Sequence, residues 1–229
     1  KPIIFGYVSR NRGKLYNSAA ISFDGKLRFL YNKRLLPNYD VFDEHRYFFN
    51  GTDIGVYKLI YNNTKIKIGL QICEDLWDDN QELKVSEEQK ENGAEILINI
   101  SASPFSIGKL EKRIKLIKKK IKELRLPFIY CNMVGAQDEI IFDGSSLAFS
   151  SNGSLIKQAE YFKECISIIN FNMKKSSVVT IQKKEKKIFN ALCLGVSDYF
   201  SKTGHKEAVI GLSGGIDSAL TAAIAVEAL

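Results

Sequence analysis

The sequence predicts an α/β protein in two parts, and three observations carry that prediction. Two continuous apolar runs, 94–100 and 127–131, flank a helical pattern over 109–125. They read as strands buried on both faces, with a helix between them. Apolar residues alternate over 65–73, with Ile66, Ile68, Leu70 and Ile72 on one face, which marks a further strand. Near the C-terminus the apolar run 208–212 enters a glycine turn and leaves as an Ala-rich helix pattern. Strand, turn and helix N-terminus in that order are how proteins cradle phosphate.

The elements follow along the chain. Residues 3–7 read as an opening strand. Segments 17–23 and 28–31 form a hairpin turning at Asp24-Gly25, a dipeptide that accepts the positive φ angles of a tight turn. A Pro-containing loop covers 33–47, and the strand 65–73 ends at the acidic turn Glu74-Asp75-Leu76-Trp77-Asp78-Asp79. Residues 86–92 are helical and closed by Gly93. In the Lys-rich stretch, Leu110, Ile114, Ile117, Ile121 and Leu124 recur at steps of four and three, giving one apolar helix face with the lysines opposite. Segments 145–149 and 155–159 flank Asn152-Gly153 as a second hairpin, and 162–171 reads as one more strand. Composition shifts over 172–177. A first domain, 1–176, is thereby divided from a linker, 177–187, and from a second unit, 188–229, that opens with a helix over 188–199. Both ends read as cut, so the expectation is a segment of a longer protein.

Composition narrows the classes. Of 229 residues, 45% are hydrophobic and 26% charged, enough for a buried core. The formal net charge of +7 suits an anionic ligand. The lysines are spread along the chain rather than gathered with aromatics, which argues against nucleic acid. Cys73, Cys131, Cys165 and Cys193 form no CxxC pair, and His45 and His205 are the only histidines, which argues against zinc and against a disulfide framework. No apolar run is long enough to span a membrane and no signal peptide is recognisable. A reducing cytoplasm is the expected compartment.

The C-terminal loop carries a first chemistry. Gly214 and Gly215 let the backbone approach an anion, Ser213 and Ser218 add hydroxyl donors, and Asp217 can help hold magnesium through oxygen. A Walker loop needs a Lys beside its last Ser or Thr, and none is present. The loop reads as a grip on pyrophosphate, or as a turn that only caps its helix. Ser213-Gly214-Gly215-Ile216-Asp217-Ser218 resembles the PP-loop of the ATP pyrophosphatase family, whose members split ATP into AMP and pyrophosphate. The resemblance implies ATP binding along Gly211, Leu212, Ser213, Gly214, Gly215, Ile216, Asp217 and Ser218, with Mg2+ at Asp217 and no tightly bound organic cofactor.

Cys73 carries a second chemistry. It stands where an alternating strand meets a sharp turn, a corner that can expose one side chain, although a free cysteine is commonly a small core residue. A thiol is mostly protonated at neutral pH and needs a nearby cation or a carboxylate base to attack. Gly69-Leu70-Gln71-Ile72-Cys73-Glu74-Asp75-Leu76-Trp77 resembles the nucleophile segment of the nitrilase superfamily, which uses a Glu-Lys-Cys triad. Lys33-Arg34-Leu35-Leu36-Pro37-Asn38-Tyr39, followed by Val41-Phe42-Asp43-Glu44-His45-Arg46-Tyr47-Phe48, is similar to that superfamily's lysine segment in the form found in glutamine-dependent NAD synthetases. Ser101-Ala102-Ser103-Pro104-Phe105-Ser106-Ile107-Gly108-Lys109 is similar to their glutamine-holding segment.

This resemblance implies Cys73 as nucleophile and Lys33 as the triad lysine beside the oxyanion. It makes Glu44 a supporting carboxylate, alternatively a salt-bridge partner of Arg46 or Lys33. Tyr39, Ser103 and Lys109 would bind glutamine, unless Lys109 simply starts the basic helix. No residue before Lys33 matches the triad glutamate, which is expected ahead of Lys1, so this segment alone is expected to be a poor glutaminase. The implied fold is a nitrilase-like α-β-β-α sandwich, N-terminally incomplete, followed by the start of a parallel α/β PP-loop domain. The implied partners are L-glutamine, deamido-NAD+ and ATP, with the protein as a homo-oligomer. The rival readings are a stand-alone nitrilase-type amidase, another PP-loop amidotransferase with a Cys-His-Glu glutaminase, and an inactive fragment serving as a scaffold.

Overall fold

The structure, a computed structural model, describes residues 1–171 and 177–229. The expected composition shift at 172–177 lies, Ser177 aside, outside the described residues. Strands β1 (Ile3–Asn11), β2 (Lys14–Phe23) and β3 (Lys26–Asn32) form an antiparallel sheet in sequence order. Both connections are two-residue turns with positive φ at each position, Arg12-Gly13 and Asp24-Gly25. That geometry matches the right-handed twist of paired strands.

A second sheet follows. It contains β4 (Val56–Tyr61), β5 (Thr64–Ile72), β6 (Ile96–Ser101) and β7 (Phe128–Asn132). After a separate hairpin, β8 (Val134–Gln137) and β9 (Ile140–Asp143), it is completed by β10 (Leu147–Phe149) and β11 (Leu155–Gln158). Its order is β11-β10-β7-β6-β5-β4, with β5, β6 and β7 parallel and the outer strands antiparallel.

Helices α1 (Val85–Glu91) and α2 (Lys109–Leu124) make the parallel crossovers. The apolar face read from the sequence is the face α2 buries: Leu110, Ile114, Ile117 and Ile121 join Leu97, Phe128 and Tyr130 in one core. Full burial of such a side chain stabilises by about 1.5–3 kcal/mol. On the opposite face of the sheet, Leu70 and Ile72 meet Ala19, Ile21 and Tyr31 of the three-stranded sheet. A Cβ added at Gly6 would lie 3.4 Å from the Ile100 side chain, so β1 also packs closely there. The described residues thus build an α-β-β stack, whose outer sheet face carries exposed Ile3, Phe5 and Tyr7.

Two more helices follow, α3 (Lys184–Thr203) and α4 (Ile216–Ala228). α3 starts inside the stretch expected as linker, and it docks on the β8–β9 hairpin. Asp198 accepts the Ala136 N–H at 2.7 Å, Lys202 donates to the Ala136 carbonyl, and Lys187 pairs with Glu111 at 3.1 Å.

Two expected strands are absent. Residues 162–171 form none: Phe162 turns away at φ 56° and the exposed side chains of Ile166 and Ile168 meet no sheet. Residues 208–212 form none either, because no neighbouring strand pairs with them and Val209 and Leu212 stand exposed. β propensity needs a partner and a covering layer to become a strand. The β8–β9 hairpin and β4 were not anticipated from the sequence.

Candidate active site

β5, β6 and β7 run parallel and end together, which gathers Cys73, Ser101 and Asn132 at their carboxyl edge. Such edges are where open α/β sheets place ligand sites. Directly after β5 the chain enters a short 3-10 turn, Cys73–Leu76, with Cys73 at φ 43°. A left-handed non-glycine backbone is strained by about 1–3 kcal/mol and needs its surroundings to hold it. Here the Ile72 N–H donates to Asp75 Oδ2 at 2.9 Å and the Trp77 N–H to the Glu74 carbonyl at 2.7 Å.

Lys33 follows β3 and reaches the same place. It is 1% exposed, and its Nζ donates to Glu44, which also accepts from Asn17 Nδ2 at 3.2 Å. Burial pushes the Cys73 thiol up from its ordinary pKa, and the Lys33 ammonium is the largest influence drawing it back. Glu74 and Glu44 oppose that ammonium, and the Ser101 hydroxyl assists it. Sulfur and amine, read from the sequence as a pair, therefore share one buried environment.

The remaining residues that the sequence singled out fall around them. Tyr39 Oη donates to both oxygens of Glu74, at 2.9 and 2.8 Å. Burial raises the Glu74 pKa against the pull of Tyr39, Lys33 and Lys109. Lys109 opens α2 with its Nζ 4.5 Å above the Trp77 ring. Burial lowers its pKa while Cys73 and Glu74 raise it, so it faces the cluster as well as starting the helix. Ser103 is buried. Its N–H donates to Asn132 Oδ1 at 3.0 Å, and its hydroxyl and carbonyl accept from Arg113 Nη2 at 3.1 and 2.9 Å.

Sequence reading missed the groups that hold this arrangement. Arg113, fully buried, pairs with Asp143 at 2.7 Å and so ties α2 to β9 and to the Ser103 segment. Ser101 donates to Asn99 Oδ1 at 2.6 Å, and Asn99 Nδ2 reaches the Cys73 carbonyl at 3.3 Å. Asp78 forms a buried pair with Lys120 at 2.5 Å and anchors the far end of the acidic turn to α2. Asp75 accepts four hydrogen bonds. An acid two positions after the candidate nucleophile is visible in the sequence, but its burial and its partners are not.

The C-terminal loop lies apart. Gly214 has φ 83° and open space where a Cβ would stand, and Gly215 caps α4. Ser213 and Ser218 face each other, Oγ to Oγ, at 3.1 Å, and the Ser218 hydroxyl donates to the Gly215 carbonyl at 3.0 Å. Gly211, Leu212, Ile216 and Asp217 are exposed. Among the described residues no hydrogen bond or ion pair joins this loop to the Cys73 cluster. Among them, too, no group of three His, Cys, Asp or Glu residues could hold a metal ion. Asp217 alone cannot fill the coordination sphere of magnesium, and phosphate oxygens and water would supply the rest. No helix among the described residues is long and apolar enough to cross a membrane.

Comparison with known proteins gives these features a context. The family model described as carbon-nitrogen hydrolase matches residues 2–178, and the one described as NAD synthase matches 188–229. The glutamine-dependent NAD(+) synthetase of Synechocystis is 41% identical over 230 residues, 94% of this chain and 40% of its own length. That of Thermotoga maritima is 33% identical over 99% of this chain and 45% of its own. The chain thus spans less than half the length of these relatives. Among solved structures, the glutamine-dependent NAD+ synthetase of Acinetobacter baumannii, in complex with ADP, superposes with a TM-score of 0.90. It is 36% identical, over all of this chain and 43% of that one. A carbon-nitrogen hydrolase from Helicobacter pylori gives 0.62 at 26% identity, over 71% of this chain and 59% of that one.

Proposed function

Since this chain belongs to the carbon-nitrogen hydrolase family, we propose that it is the glutamine-hydrolysing part, with the first elements of the synthetase part, of a glutamine-dependent NAD+ synthetase. The observation that carries the reading is that Lys33 and Cys73 are both buried and their segments are bonded together through Asp75 at the ends of three parallel strands. Cys73 Sγ attacks the side-chain amide carbon of L-glutamine. The thiol is protonated at rest, so a base takes its proton during attack, a role for which the family resemblance implies a glutamate. Lys33 Nζ then stabilises the oxyanion, a charge that develops only on the way to the tetrahedral intermediate. The base returns its proton to the amide nitrogen as the C–N bond breaks, ammonia leaves, and water frees glutamate from the thioester. Tyr39, Glu74 and Lys109 lie beside the thiol and, with Ser103, offer the donors and acceptors an amino acid's polar ends require.

In the second chemistry ATP adenylates the carboxylate of deamido-NAD+, pyrophosphate leaves, and ammonia displaces AMP to give NAD+. Residues 211–218 would hold the pyrophosphate through Gly214, Gly215, Ser213 and Ser218. Magnesium, when bound, would neutralise phosphate charge with Asp217 as its protein ligand. A cytoplasmic homo-oligomer completes the proposal, in keeping with cysteines that are all free.

In the protein that carries this chain, cleavage of ATP to AMP and pyrophosphate should require deamido-NAD+. Glutamine should slow alkylation of Cys73 in a saturable way. ATP cleavage indifferent to deamido-NAD+ would remove the synthetase reading, and absence of protection would remove glutamine as the substrate.

A further inference from the structure

The acidic turn contains a residue with no hydrogen bond to the thiol or the ammonium, yet bonded to the chain on either side of Lys33 and directly before Cys73. Asp75 is completely buried. Its Oδ1 accepts the backbone N–H groups of Arg34 and Leu35, at 3.1 and 3.0 Å. Its Oδ2 accepts the Ile72 N–H at 2.9 Å and the Tyr31 hydroxyl at 2.8 Å. Four donors fill the acceptor capacity of one carboxylate. Each donor lies within two residues of Cys73 or of Lys33. Lys33 itself is tied on its other side, its N–H to the Asn17 carbonyl and its carbonyl to the Gly51 N–H, both at 2.8 Å. Nothing else among the described hydrogen bonds joins residues 31–35 to residues 72–75.

We propose that Asp75 is the positioning residue of the site: one carboxylate clamps the lysine segment to the nucleophile turn and so sets the distance between the Lys33 ammonium and the Cys73 sulfur. This rests on the reading of those two residues as a nucleophile and its cation, and it deepens that reading. The clamp also bonds the residue before Cys73, which helps keep the nucleophile in its left-handed conformation. Glu44 and Tyr39 face the thiol from the lysine loop, Glu74 from the turn, Lys109 and Arg113 from α2, Tyr130 from β7 and Ser101 from β6. Lys33 is the strongest cation among them, so its placement dominates how readily sulfur becomes thiolate.

The test follows Cys73 alone and does not depend on glutamine turnover. The rate of iodoacetamide alkylation at Cys73 is read by peptide mass spectrometry against pH for the purified chain, for Lys33→Met, for Asp75→Asn, and for the double variant. Asn keeps the size of Asp but turns an amide NH2 toward two of the four donors. Lys33→Met should slow alkylation at pH 7 about tenfold, corresponding to roughly one unit of upward movement in the midpoint. Asp75→Asn should reproduce most of that, and the double variant should be no slower than Lys33→Met, because the effect runs through the amine. If Asp75→Asn does not fold by near-UV circular dichroism, Tyr31→Phe removes a single donor and should slow alkylation about twofold to threefold in the Lys33 chain and not in Lys33→Met. A midpoint unchanged in the folded Asp variant, or in Tyr31→Phe where that carries the test, overturns the proposal. Losses that simply add in the double variant, or an unmoved Lys33→Met, overturn it as well.

Discussion

At the scale of single residues, the site is a set of buried polar groups whose pairing decides their cost. Arg113 Nε and Asp78 Oδ2 are buried without a partner on side chains that are otherwise paired, whereas Tyr130 has its single side-chain polar atom unpaired. It is fully buried, its hydroxyl has no hydrogen-bond partner in bonding geometry, and the hydroxyls of Ser101 and Ser103 lie beside it. Burial pushes its pKa up to about 12, against the pull of Arg113. The sign follows from the protonated form being the one the fold accepts. The contribution is complete below the unfolded value of about 10 and is lost as pH rises through about 12. Two units correspond to about 3 kcal/mol. Urea midpoints measured at pH 9 and pH 11 should therefore fall less in Tyr130→Phe than in the parent chain. At pH 7 the same substitution should be neutral or stabilising by up to about 1–2 kcal/mol, because it removes an unpaired buried hydroxyl. A clear destabilisation at pH 7 would mean that Tyr130 has a partner after all.

At the scale of elements, the Arg113–Asp143 pair joins a helix, a hairpin and the Ser103 segment. Both side chains are at most 2% exposed. Removing one charge leaves the other without its partner, which typically costs about 3–5 kcal/mol, whereas replacing both by apolar groups is often tolerated. Arg113→Met should lower the urea midpoint strongly, and adding Asp143→Leu should recover much of the loss. If the double variant is no better than the single, the network matters through its bonds to Ser103 and Asn132 instead.

Legibility in the sequence divides along the same line. β5 and α2 could be read because their apolar periods are local: alternate residues of β5 face the three-stranded sheet, and one face of α2 meets the core. Residues 162–171 and 208–212 misled because β propensity was present without a strand to pair with. The β8–β9 hairpin has a turn at Asp138-Glu139 without a glycine signal, and it went unread. Cys73, Lys33, Tyr39, Ser103 and Lys109 could be found through family motifs. Asp75, Arg113 and Asn99 could not, since most of their partners lie 9 to 44 positions away in the chain.

At the scale of the molecule, the two stretches that match different families are physically joined by α3. The Asp198 carboxylate holds the Ala136 N–H, and a Cβ at Gly135 would come within 3.1 Å of it. A Cβ added at Gly195 would likewise lie 3.3 Å from the Ile141 side chain, so the glycine lets α3 pack closely on the hairpin there. The hairpin so gripped also carries Asp143, the partner of Arg113 behind Ser103. Asp198→Ala should loosen this docking without unfolding the sheets. Limited proteolysis should then cut between 177 and 210 sooner, while cutting within 1–150 is unchanged. Equal cutting in both chains would assign the docking to apolar contact alone.

The torsion at position 73 bears on how an inactive variant is made. Removing the sulfur as Cys73→Ala keeps a side chain on a backbone that only glycine adopts freely, whereas Cys73→Gly relieves it by about 1 kcal/mol. Of two knock-outs equally devoid of nucleophile, the glycine version should melt at the higher temperature. The alanine version would then be the more faithful mimic for trapping a bound ligand, since it preserves the elbow under tension.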